Sequence, residues 1–120
     1  MKKFSYVVAA FIIAVAPLAA RAHHSAALYD LTIHDNKVTG VVKKFEARNP
    51  HTDIILEITD AKGTREVWFE GHSRNNFYRS GWREGKVKVG DKITLIAAPR
   101  KDGGEGGYVI GVICADGSQF

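Results

Sequence analysis

The 120-residue chain has one cysteine, three prolines and no apolar run of the length a bilayer demands. A single Cys cannot close an internal bridge, so no disulfide framework holds this fold. A membrane-spanning helix takes ~20 apolar residues, and the longest run here, Tyr6 to Ala16, has 11. Internal repeats are absent, and low complexity is confined to the Gly-rich stretch Gly103 to Gly107. There is no Gly-x-Ser-x-Gly, no phosphate loop and no dinucleotide fingerprint. No motif therefore points to an enzyme, and a fold by itself does not supply an activity. What is present is ordinary globular composition, 45% apolar and 25% charged, on a length that suits one domain.

The 11-residue run explains the apparent basicity. Lys2 and Lys3 precede it, Pro17 ends it, and Ala20-Arg21-Ala22 puts small residues at −3 and −1 of a cleavage site. Charged head, apolar centre and small-residue site in that order predict a secretory signal peptide over 1–22. An uncleaved membrane anchor is the alternative, and the short run argues against it. No Cys follows the site, which argues against a lipid anchor. The expected compartment is the periplasm, with membrane contact only through the uncleaved leader. Removing Lys2, Lys3 and Arg21 leaves 98 residues with 14 Lys plus Arg against 13 Asp plus Glu, a net charge of +1 instead of +4. A nucleic-acid binder needs a concentrated positive footprint, so nucleic acid is not an expected partner.

The rest of the chain reads mainly with period two. Strands are predicted over Lys37–Ala47, Thr52–Thr59, Thr64–Glu70, Lys92–Ala98 and Tyr108–Cys114. Ser73 is placed to cap a short helix running to Ser80, with Gly81 as its stop. Tyr78 and Trp82, four apart, would touch if helical character persisted. One helix between the third and fourth of five strands is the element order of the OB-fold, a small Greek-key barrel. The expected fold is therefore all-β with one short helix: a five-stranded OB-like barrel over 37–120, an N-terminal extension over 23–36, and the leader before them. An open β-sandwich is the competing architecture. Ile54, Leu56, Ile58, Val67, Phe69, Ile93, Leu95, Val109 and Ile113 are the expected core. Cys114 ends an apolar run and reads as a buried, inert thiol, with an intermolecular disulfide or a metal-ligand role as alternatives.

Several pieces taken together resemble a known family. They are His23-His24-Ser25 after the leader, Tyr29-Asp30, the Val38 to Phe45 strand, Asn49-Pro50-His51, Trp68, Gly81-Trp82 and Gly90-Asp91. The pattern is similar to a family of small exported bacterial proteins known only as a domain of unknown function. The resemblance covers essentially the whole mature chain. It implies a periplasmic location and an OB-like barrel, and it implies no activity and no catalytic residues. More distantly, the layout is similar to small periplasmic OB-fold proteins linked to envelope stress tolerance.

Ligands of OB-folds commonly lie over the outer face of the second and third strands. A hairpin closed by Asp60-Ala61-Lys62-Gly63 pairs Leu56 with Val67 and Ile54 with Phe69, keeping both apolar sets inside. The outer pairs are then Ile55 with Trp68, Asp53 with Glu70 and His51 with His72. A one-residue slip would mix the faces, whereas a two-residue slip would not. The register sets Glu57 opposite Glu66, an unfavourable like-charge pair. The face thus carries Asp53, Glu57, Glu66 and Glu70 around Trp68, the candidate surface for a small molecule or a protein partner. Single-strand binders want a positive groove with several aromatics, which this face lacks. Arg74, Arg79, Arg83, Lys86, Lys88 and Lys92 cluster in sequence around the helix. They read as a solvated face, with an anionic partner as the alternative.

Histidine supplies the other candidate site. Pro50 fixes its own φ and biases Asn49 toward an extended shape, so His51 stands at a rigid strand entrance. That suits a ligand residue and also plain turn architecture. Cleavage after Ala22 would make His23 the first residue, offering its amine and a ring nitrogen to one metal. A second His completes the set in the histidine-brace proteins this arrangement looks like. His24 and His51 are candidates for it, with His72 behind them. Imidazole suits Cu, Zn and Ni, and copper stands highest in the affinity order, so copper is the expected metal. A site of the kind that needs His third in the chain would require the chain to start at Ala22, leaving Arg21 at −1, and is discounted. The opposing consideration is that chain termini are usually mobile unless tied down. Three functions follow: a periplasmic copper-binding module, a metal-free module with its ligand over the Trp68 face, and an accessory or stress-related protein whose histidines are only surface residues.

Overall fold

The structure, a computed structural model, describes residues 27–120. The signal-peptide reading over 1–22 and the candidate ligands His23 and His24 lie outside the described residues.

Five strands form a closed barrel: β1 (Lys37–Glu46), β2 (Thr52–Asp60), β3 (Gly63–Gly71), β4 (Lys92–Pro99) and β5 (Gly107–Ile113). One helix, α1 (Arg74–Ser80), separates β3 from β4. Around the barrel the order is β1-β2-β3-β5-β4, and β1 pairs with β4 to close it. Neighbours are antiparallel except β3 and β5, which run parallel. This is the five-stranded barrel with one short helix that the sequence predicts. Closure leaves no free sheet edge, which suits a small domain with one core.

The β2–β3 register is the expected one. Ile54 pairs with Phe69 and Leu56 with Val67 on the inside, and Asp53 with Glu70 and Ile55 with Trp68 on the outside. Pairing continues to Asp60↔Gly63, so the turn is tighter than the four-residue loop predicted, and Gly63 takes the left-handed φ of 104°. The helix also follows its signals. Ser73 accepts a hydrogen bond from the Asn76 amide, and Gly81 ends the helix at φ 114°.

The expected core is extended in β1 and corrected in β5. Lys43 is an extra residue between Val42 and Lys44 in β1, so Val42 and Phe45 turn inward while Lys44 turns out. In β5 the pairing skips Ile110 between Val109 and Gly111. Val112 is therefore fully buried, and Ile113, expected in the core, is only half-buried. Helical character stops at Gly81, so the condition for a Tyr78–Trp82 contact is not met. Trp82 is buried against Phe45, and Tyr78 is half exposed beneath the Arg83 guanidinium. Cys114 lies just past β5, buried and free, as its apolar run predicts. Burial raises its thiol pKa, which keeps it in the unreactive protonated form.

Candidate functional site

The ends of β2 and β3 meet β5 on the outer surface of the barrel. His51 immediately precedes β2 and His72 immediately follows β3. The Thr52 amide and hydroxyl both donate to the His72 carbonyl, at 3.1 and 2.7 Å, and the His72 amide donates to the Val109 carbonyl at 3.0 Å. His72 is thus fixed to both neighbouring strands. The Arg48–Pro50 loop is tied to the start of α1, because the Arg74 amide donates to the Arg48 carbonyl and the Asn75 amide to the Asn49 side chain. The Asn49–Pro50 bond is cis, and His51 enters β2 from it. Across the barrel seam Glu70 pairs with Tyr108, the first outward-facing residue of β5.

These placements gather five side chains. The ring of Tyr108 meets both imidazoles edge to face, with centroids 5.9 Å from His51 and 5.4 Å from His72. The Tyr108 hydroxyl lies 3.4 Å from His72 Nδ1. Glu70 Oε1 is 3.7 Å from His51 Nε2, too far for a hydrogen bond, and its other oxygen accepts from the Tyr29 hydroxyl at 3.3 Å. Tyr29 itself is 2% exposed and packs on Tyr108 at 5.7 Å. Among the described residues, neither ring nitrogen of His51 has a hydrogen-bond partner, although both are shielded from solvent. An orphaned buried polar atom costs about 1–3 kcal/mol, so such an imidazole is a weakness in the fold alone.

The electrostatics follow from this crowding. Burial, and then the nearby His51, hold the His72 pKa below the ordinary imidazole value. Burial and the Glu70 carboxylate push Tyr29 up to about 12, and the same two causes raise Tyr108. At neutral pH both phenols are protonated and His72 is neutral, the form in which imidazole ligates a metal.

The N-terminal segment is pinned beside this cluster. Tyr29 forms a β-bridge with Arg100, the Asp30 amide donates to the Pro99 carbonyl and the Lys101 amide to the Leu28 carbonyl. Tyr29 is thereby held beside Glu70 and Tyr108. Among the described residues, no group of three or more His, Cys, Asp or Glu is arranged to hold a metal ion.

The Trp68 face lies further along the same hairpin. Trp68 is 48% exposed, and its indole N–H donates to the Asp53 carboxylate. Asp53 also accepts from Lys44 at 2.6 Å, which with the indole bond holds its carboxyl below the usual range. Glu57 does stand opposite Glu66, and Lys43 from the β1 bulge sits 3.3 Å from Glu57. The face is less acidic than the hairpin alone suggests, because β1 adds two lysines to it. The helix-side cations are largely engaged: Arg74 with Glu84, Lys86 with Asp116, and Arg83 with the carbonyls of Tyr78 and Trp82.

A family model matches residues 10–109. The chain belongs to DUF6152, a family of unknown function. No curated protein and no solved structure matches it. The DUF6152 match takes in β1 to β4, α1 and the first residues of β5 through Val109, and so includes His51, Glu70, His72, Tyr108 and Tyr29. Sequence reasoning brought His51 and His72 together through the hairpin register and missed both tyrosines. Tyr108 joins the site only through the β3–β5 seam, and Tyr29 only through a bridge to Arg100, 71 positions away.

Proposed function

We propose that this DUF6152 protein is an exported module that binds a transition metal, with copper the best fit, through His51, His72 and the start of the processed chain. The observation that carries the reading is the His51 ring, held beside His72 with both nitrogens shielded and no protein partner to satisfy them. A metal ion would offset the cost of leaving them unpaired. The donor chemistry supports the choice of metal. Imidazole, amine and carboxylate are donors for Cu(II), Zn(II) and Ni(II), and copper leads that series. Soft donors are scarce: Cys114 is in the core, and Met1 is the only methionine, within the predicted leader.

The described residues supply too few ligands by themselves, so the reading depends on processing. Cleavage after Ala22 makes His23 an N-terminal residue six positions before Tyr29. Six extended residues reach about 20 Å, which spans the neighbourhood of the pinned Tyr29. The His23 amine and ring, or the His24 ring, then join His51 and His72. The test is Cu(II) titration of correctly processed protein. Binding tighter than micromolar is expected, weakened at least tenfold by His51→Ala and by one extra residue placed before His23. Micromolar or weaker binding that neither change alters would sink it.

A second reading rests on Trp68. A half-exposed indole fixed by Asp53 is a preorganised apolar surface for a small ligand or a protein partner. Trp82 is 3% exposed, so a partner-induced shift in tryptophan emission would report Trp68. Loss of that shift in Trp68→Phe is the expected outcome, and its persistence would remove this reading.

A further inference from the structure

The Gly-rich stretch between β4 and β5 borders a cavity of about 290 Å³ that opens to solvent. Its apolar wall is Val38, Ile58, Val67, Phe69 and Pro99, and its rim carries Asp60, Arg65 and Glu105. None of these residues belongs to the His51–His72 cluster. Barrel mouths are a common place for small-molecule sites. At ~30 Å³ for each water-sized group, the space takes roughly ten non-hydrogen atoms.

Arg65 holds the two rim carboxylates in different ways. Its Nη1 and Nη2 donate to separate oxygens of Asp60, at 2.8 and 3.0 Å, and Asp60 also accepts from the Lys62 amide at 2.8 Å. That carboxylate is fixed. Glu105 meets Nε and Nη2 through one oxygen, Oε1, so the planar fork on that edge of Arg65 is only half matched. Gly103, Gly104, Gly106 and Gly107 flank Glu105, which is therefore the one side chain this stretch brings to the rim. Gly106 packs so close to the Trp68 carbonyl that a Cβ would lie 2.3 Å from it. The loop backbone can thus stay in place while the exposed Glu105 side chain turns away. An exposed ion pair contributes little, so that departure costs little. We propose that the cavity binds a small monocarboxylate with an apolar tail, whose carboxylate replaces Glu105 on the Nε–Nη2 edge of Arg65. The apolar wall takes the tail, and two ligand oxygens match the two donors that Glu105 serves with one. A cationic ligand would have to take carboxylates away from Arg65. An anion exchanges like for like and leaves the charge at Arg65 balanced. The proposal goes beyond the metal reading and does not depend on it.

The probes are octanoate and its neutral isostere octanamide, titrated into metal-free processed protein and followed by methyl NMR. Octanoate should shift the methyl signals of Val38, Ile58 and Val67, and octanamide should bind at least tenfold more weakly. Arg65→Gln should lose at least tenfold in octanoate affinity. Glu105→Gln removes the competing charge and keeps the side-chain length, so it should bind octanoate at least threefold more tightly. That gain keeps the test open if Arg65→Gln does not fold. No methyl shift in either wild type or Glu105→Gln at ~10 mM octanoate, beyond the millimolar end of the affinity scale, overturns the site. Equal affinity for octanamide would overturn the role of Arg65. Weaker octanoate binding in Glu105→Gln would make Glu105 part of the site and end its reading as a stand-in for the ligand.

Discussion

Two aromatic clusters lie on either side of His72. Toward the helix, Phe45, Phe77, Trp82 and Phe120 close one end of the barrel, with ring centroids 5.2 to 6.5 Å apart. Toward the outer face, Tyr29, Tyr108, His51 and His72 pack at similar spacings. His72 belongs to both, since it also meets Phe77 at 5.8 Å. The difference is polar content. The first cluster is built on apolar rings, so its packing is nearly all gain. The second buries imidazole nitrogens that the described protein does not satisfy. Rings at the same density therefore stabilise at one end and are a cost at the other, and the costly end is the one that the proposed metal would relieve.

The sharpest way to break that contrast is to damage the dry cluster. Phe77 is 1% exposed, and its ring lies against Phe45, Phe120, His72 and the Gly71 backbone. Phe77→Ala should cost about 3–5 kcal/mol, from lost burial and a residual cavity. Urea unfolding of the wild type and variant checks this, and a loss below ~1 kcal/mol would mean the end of the barrel collapses freely. The opposite experiment acts on the other cluster. His51→Leu removes two unsatisfied nitrogens and keeps a side chain of similar bulk. The metal-free protein should gain about 1–3 kcal/mol while copper binding is lost. Destabilisation of the metal-free protein would show that His51 is satisfied in solution.

Both clusters were only partly legible in the sequence, for reasons that differ. The hairpin was readable because Ile54, Leu56, Val67 and Phe69 alternate with polar residues, a one-residue slip would expose them, and the regular short turn favours the register observed. That register placed His51 and His72 together, and it predicted the awkward Glu57–Glu66 pair. The bulge at Lys43 was not readable, since nothing in Val-Val-Lys-Lys-Phe marks which residue is extra. Nor was the slip at Ile110, which exchanged Val112 for Ile113 in the core. Tyr108 faces outward by simple alternation. Its contact with Glu70 needs the barrel closed, and closure joins segments that local pattern does not connect.

Two tyrosine and histidine titrations sharpen the comparison further. The Tyr29 hydroxyl is pushed up to about 12 by burial and by Glu70. Unfolded, it would ionise near 10, so between those values the folded state holds a proton that the unfolded state has lost. Stability should therefore fall as pH rises above ~10. Tyr29→Phe should lose about 1 kcal/mol at pH 7, one hydrogen bond to a carboxylate at a long distance, and should flatten the alkaline limb. Thermal melts from pH 8 to 11 read both effects, and an alkaline limb as steep in the variant would assign it elsewhere. At the acid side the sign reverses. Folded His72 resists protonation below its ordinary value, whereas the unfolded side chain takes a proton below ~6.5. Its contribution is complete above that pH and fades as pH falls through it. His72→Gln should show less destabilisation between pH 7 and 5 than the wild type.

The smallest effect concerns the face that neither cluster covers. Glu57 and Glu66 stand opposite each other on β2 and β3, an arrangement worth a few tenths of a kcal/mol against the fold. Lys43, the extra residue of the β1 bulge, reaches Glu57 at 3.3 Å and offsets that repulsion. Both partners are more than a third exposed at that contact, so the pair is screened and the benefit is modest. Lys43→Ala should cost no more than about 0.5 kcal/mol in dilute salt, and most of that should vanish near 1 M NaCl, where charges are screened within ~3 Å. Removing the repulsion by Glu66→Gln should make Lys43→Ala cheaper, giving a coupling of a few tenths of a kcal/mol in a double-mutant cycle. A larger, salt-insensitive cost would locate the role of Lys43 in the geometry of the bulge. The lysine would then matter for turning Phe45 into the dry cluster, not for charge on the outer face.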